Sequence, residues 1–182
     1  MPTLRHNVVY PLGLAVVGLI LFNAGLYGLL TPTQSMPLLT PAPQHHLEFD
    51  HGLIGMKGWN GIEQTADGVT FQWTSASPAS IELPLTGTGS IEVEFELLQV
   101  IQDTMYGELQ LRVNDRLIAL DRRDKHYQGV IPSSVLDPRS QTVTLMFYTP
   151  PPLRPADLDP NSGDIRLLGV AFDWLELRSI TP

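Results

Sequence analysis

The chain has 182 residues, with 11 Lys and Arg against 19 Asp and Glu, giving a formal net charge of −8. It contains no Cys, which excludes disulfides, iron–sulfur clusters, thiolate-bound zinc and a thiol nucleophile. The acidic balance argues against binding to phosphate backbones, so no nucleic-acid partner is expected.

Residues 1–7 carry Arg5 and the amino terminus and are read as a cytoplasmic start. Residues 8–30 follow without a single charge, from Val8 to Leu30. As a helix rising about 1.5 Å per residue, this run spans roughly the 30 Å hydrocarbon core of a bilayer. Tyr10 and Tyr27 sit near its two ends, where amphipathic rings favour the interface. Pro11 falls in the first turn, where its missing N–H is least costly. The run exceeds the apolar core of a signal peptide, and no small-residue cleavage site follows it. A single uncleaved transmembrane helix is therefore expected. No Lys or Arg follows until Lys57, so the positive-inside rule puts the N-terminus in the cytoplasm and the rest outside the cell membrane. Ala15, Gly18, Phe22 and Gly25 share one face of that helix, where small residues let a second membrane helix approach closely.

Residues 31–46 contain Pro32, Pro37, Pro41 and Pro43 and are expected to form an extended linker. His45, His46 and His51 fall in and just after it at spacings that match no metal motif, and are read as solvated. From residue 47 to 182 the periodicity changes from helical to two. Ile91, Val93, Phe95 and Leu97 alternate with Glu92, Glu94 and Glu96, which marks a strand with one buried face. The runs 109–113 and 143–147 repeat the pattern. Further strands are expected over 69–74, 81–85, 117–120, 128–131 and 168–177. Turn signals separate them, among them Ala66-Asp67-Gly68, Asn114-Asp115 and the Pro-rich loop 150–163. One helical turn is expected over 132–136. Such strands with solvated outer faces imply antiparallel pairing and a second sheet to cover the apolar side. The expected fold is mainly β: an antiparallel, jelly-roll-like β-sandwich preceded by a single transmembrane helix.

Five stretches carry a family resemblance: Gly58-Trp59-Asn60-Gly61, Val69–Trp73, Leu111–Leu117, Val130-Ile131-Pro132 and Arg166–Phe172. In these the chain resembles the galactose-binding-domain-like β-sandwiches found as accessory modules of extracellular bacterial proteins. That resemblance implies the fold first. Many such modules bind sugars, and others hold proteins together.

The chemistry-bearing residues point away from catalysis. No nucleophile elbow or phosphate loop occurs, and the clustered carboxylates Glu92, Glu94 and Glu96 lie on one strand face, with Arg112 or Arg116 as cross-strand partners. The chain is read as a non-enzyme with no organic cofactor. Asp157, Asp159, Asn161 and Asp164 place oxygen ligands at near-alternate positions of one loop, the donor type a structural calcium ion needs, although the EF-hand pattern fails. Among the tryptophans, Trp73 and Trp174 sit inside strands and are expected in the core, whereas Trp59, in a Gly-rich approach, is the candidate platform for a sugar ring. Two functional readings follow. The first is an accessory subunit of a membrane complex, in electron transfer or transport, with its helix among integral membrane subunits and lipid and its sandwich docked on the extracytoplasmic side. The second is a membrane-tethered carbohydrate-binding module with a glycan as partner.

Overall fold

The computed structural model describes residues 43–49, 55–85 and 89–180, all within the compact unit Pro41–Pro182. Residues 8–30, with the helix face of Ala15, Gly18, Phe22 and Gly25, lie outside the described residues. Among the described residues no helix is long and apolar enough to cross a membrane.

Among the described residues eleven strands form two antiparallel sheets: β1 (Pro43–Glu48), β2 (Trp59–Gln64), β3 (Thr70–Thr74), β4 (Ala79–Pro84), β5 (Ser90–Val100), β6 (Gln110–Val113), β7 (Arg116–Ile118), β8 (Leu120–Arg123), β9 (His126–Ile131), β10 (Thr142–Tyr148) and β11 (Val170–Ile180). The larger sheet runs β2-β3-β11-β5-β9-β8, with β1 also paired to β11 beyond the end of β3. The smaller runs β4-β10-β6-β7. Short helical turns, α1 (Met105–Glu108) and α2 (Pro155–Leu158), and a 3-10 turn at Ser133–Val135 decorate the connections. The last of these is the turn expected over 132–136.

The alternation read from the sequence is what closes the sandwich. Val93, Phe95 and Leu97 of β5 point inward against Leu111 and Val113 of β6 and Leu145 and Phe147 of β10, all buried in one cluster. Phe172 sits at its centre, within 4.8 Å of the Phe147 ring and 5.3 Å of the Phe95 ring. Burying apolar side chains from both sheets contributes about 1.5–3 kcal/mol each and is the main favourable term holding the layers together. Asn114 and Asp115 take φ values of 47° and 61°, the left-handed pair that a two-residue hairpin between β6 and β7 requires.

Three expectations are corrected. The first strand begins at Pro43, inside the stretch expected to be linker; Pro is tolerated there because it opens an edge strand. The strand expected over 117–120 is two strands, broken at Ala119, where the chain crosses from the small sheet to the large one. That crossing passes so close to β9 that a Cβ on Gly129 would stand 2.7 Å from the Ala119 carbonyl oxygen. Trp59 opens a strand of its own, β2, at the edge of the large sheet.

A second, smaller apolar cluster lies on the outer face of the large sheet. Phe71, Trp73 and Ala171 pack there beneath Leu168, at the end of the long loop that follows β10. Arg166 ties that loop to β2 through Glu63, at 2.8 Å, and Asn60 donates to the Leu167 carbonyl. Gly169 is obligatory at the loop's end, because a Cβ there would collide with the Thr74 hydroxyl that accepts the Val170 N–H.

Candidate functional site

The site is made by one irregularity in β11. Val170 and Phe172 point into the core, so strict alternation would send Trp174 and Glu176 inward as well. A bulge between Phe172 and Trp174 inserts Asp173 and reverses the phase. Leu175 and Leu177 then fill the core, while Trp174, Glu176 and Arg178 emerge on the outer face. Trp174, expected in the core, is half-buried on that face instead; Trp73, expected in the core, is buried, though in the satellite cluster.

Trp174 faces Glu96 of β5 on one side and Glu48 of β1 on the other. Two imidazoles flank its ring: His46 stacks at 6.1 Å and His126 tilts against it at 5.6 Å. His46 Nδ1 stands 2.9 Å from Glu176 and its Nε2 3.4 Å from Glu48. His126 Nε2 is 2.8 Å from Glu94. Arg178 bridges Glu94 at 3.2 Å and contacts Glu176 through its Nε. Gln128 donates to Glu92 at 2.7 Å. The Glu92 and Glu94 carboxylates are therefore held by Arg178, His126 and Gln128. Arg112 and Arg116, the partners expected from the sequence, lie in the other sheet.

Where β1 and β3 part along β11, a notch of about 300 Å³ opens, lined by Glu48, Gly68, Val69, Thr70, Asp173 and Trp174. Burial, and then the neighbouring Glu96 and Glu48 charges, raise the Asp173 carboxyl above its ordinary value. An indole wall beside acceptor carboxylates can hold a ring with an apolar face and a rim of hydroxyls: the face lies on the indole, and the hydroxyls donate to the acids.

The other expected site residues fall elsewhere. Trp59 is half-buried at the margin of the core, stacked on Phe49 at 5.5 Å and edge-on to Phe172, with its indole N–H donating to the Ser80 carbonyl. Its ring is engaged in packing and not displayed as a free platform. In the acidic loop, Asp159 accepts from the backbone and side chain of Asn161. Asp164 is claimed by Arg166, whose hydrogen bonds hold its carboxyl down at about 2. Among the described residues, no group of three or more His, Asp and Glu side chains is gathered as metal ligands.

His46, His126, Glu48 and Asp173 were not singled out as site residues in the sequence. One signal for them exists there: the inward apolar positions 170 and 172 are followed by 175 and 177, a phase break at Asp173-Trp174.

No family model matches the chain, and no curated protein matches it. Three solved structures are similar at a distance. A carbohydrate-binding module of Cellvibrio mixtus lichenase 5A, in complex with cellotriose, aligns with a TM-score of 0.43 at 9% identity, over 76% of this chain and 99% of that one. A family GH115 4-O-methyl-α-glucuronidase with specificity for decorated arabinogalactans aligns with a TM-score of 0.39 at 12% identity, over 76% of this chain and 18% of the enzyme. The xylan-binding module CBM15 gives 0.33 at 11% identity, over 75% and 96%. The resemblance is weak and lies in the fold; none of the three lends a residue or a ligand to this chain.

Proposed function

We propose that the protein is a non-catalytic, membrane-tethered glycan-binding module whose ligand seats on Trp174. The observation that supports this reading is the bulge at Asp173, which spends a core-phase tryptophan on the outer face and walls a notch with it. The apolar run 8–30 supplies the tether, and the sandwich is the extracytoplasmic part. The flanking histidines hold the indole in place, while Glu48, Glu96 and Asp173 supply acceptors for sugar hydroxyls. The test is a glycan array probed with the full-length chain in neutral detergent. Retention of neutral oligosaccharides is expected, and Trp174→Ala should weaken it about tenfold or more with the thermal midpoint nearly unchanged. Absence of retention, or retention equal in Trp174→Ala, would overturn the reading.

A second reading, the accessory subunit, draws on one observation. At the β7–β8 corner, Leu117 (61% exposed) and Val130 (48% exposed) flank two adjoining cavities of about 620 and 580 Å³ that share Ala119 and Val130. An apolar corner rimmed by Arg116 and Asp121 suits a protein neighbour. Mild-detergent purification from the native membrane distinguishes the two: a stoichiometric set of integral membrane proteins supports the subunit, and recovery of the chain alone removes it.

A further inference from the structure

The opposite side of the sandwich, the outer face of the small sheet, holds a different arrangement. Arg112 lies in β6 across from Met146 of β10, and its guanidinium carbon sits 5.1 Å above the Tyr148 ring. Its Nε is buried without a hydrogen-bond partner. No ion pair is formed by Arg112 among the described residues, although Glu82 lies on the same face, opposite Thr144. Gln110, opposite Tyr148, and Thr144 carry a side-chain amide and hydroxyl on the same face. A half-buried guanidinium without a carboxylate is unusual in a domain so rich in acids, because an unmade hydrogen bond to a charged group is costly.

We propose that Arg112, held flat on Tyr148, anchors the carboxylate of a uronic-acid-containing glycan. The guanidinium fork matches a planar carboxylate bidentately, and stacking on the ring fixes its plane before the ligand arrives. Gln110, two residues before Arg112 on β6, and Thr144, on the neighbouring β10, offer an amide and a hydroxyl to the ring hydroxyls next to that carboxylate. The open sheet face lets a polymer run past in both directions. This site is independent of Trp174, which lies on the other sheet, and it selects by charge where the notch does not.

Calorimetric titration of the full-length chain in neutral detergent tests it, with trigalacturonate, galactotriose and tetraglutamate as probes. Trigalacturonate should bind, Arg112→Gln should weaken it about tenfold or more, and Arg112→Lys should restore only part of the loss. Trp174→Ala should leave trigalacturonate binding unchanged, so that failure here and failure of the Trp174 reading are told apart. Should Arg112→Gln not fold, judged by its circular dichroism, the pair Gln110→Ala and Thr144→Val carries the same test with a severalfold loss. The proposal is overturned by no binding, by equal binding in these variants, by galactotriose binding as tightly, by tetraglutamate binding as tightly, or by loss on Trp174→Ala.

Discussion

On the outer face of the large sheet, Arg178 is shared among Glu92, Glu94 and Glu176, whereas on the outer face of the small sheet Arg112 has only an aromatic ring beneath it. Both arginines stand on strands at outward positions, and both are half-buried. The difference is what each arginine is for. Glu176 is 8% exposed and lies directly opposite Glu94, so without Arg178 two carboxylates would face each other over apolar packing. That arginine is structural. Arg112 pairs with no carboxylate among the described residues, which is the ground for the ligand role proposed for it.

The sharpest way to break the comparison is to remove what both faces share. Phe172→Ala takes the central ring from the core and should cost about 3–5 kcal/mol in urea unfolding, abolishing binding at both faces together. If one face kept its ligand affinity, the two sheets would be less dependent on each other than their common core implies. Next in size is the contrast between the arginines themselves. Arg178→Gln should cost about 1–3 kcal/mol, because nearly buried Glu176 would keep only His46 and would face Glu94 without the guanidinium between them. Arg112→Gln should stay within about 1 kcal/mol, since only the stacking on Tyr148 is lost. Equal costs would erase the distinction.

The smallest effect belongs to Asp173. An acid whose carboxyl titrates higher in the folded chain binds its proton more tightly when folded, so stability falls as pH rises through the window above 3.8. Asp173→Asn should therefore flatten that slope and add, after solvent screening, about 0.5 kcal/mol at pH 7. Thermal melts at a series of pH values would show it, and an unchanged slope would clear Asp173 of the raised titration assigned to it.

Much of the fold is legible in the sequence because a half-buried strand writes its buried face as alternation, as Ile91–Leu97 does. The missed elements lack that signature for physical reasons. β1 is short and begins with Pro43, and of its alternating pairs only Leu47 is an apolar residue facing the core. The run 117–120 looks continuous because neighbouring strands in different sheets can both present apolar residues, and nothing local marks Ala119 as the crossing. The site was less legible than the fold. A single residue, Asp173, decides whether Trp174 is core or surface, and its effect shows only when the phases on its two sides are compared. Arg112 is legible as an outward charge, but the absence of a partner is a property of tertiary structure.

The pairing of β1 with β11 has a mechanical side. Pro43 lies opposite Arg178, and Glu48 lies opposite Trp174, so β1 runs from the point where the preceding chain enters to the notch itself. On the proposed reading, a force applied between Trp174 and Pro43 acts along this strand. Its ladder bonds stand perpendicular to that direction. They are loaded in shear and share the force, where a pull across the strand would open them one at a time.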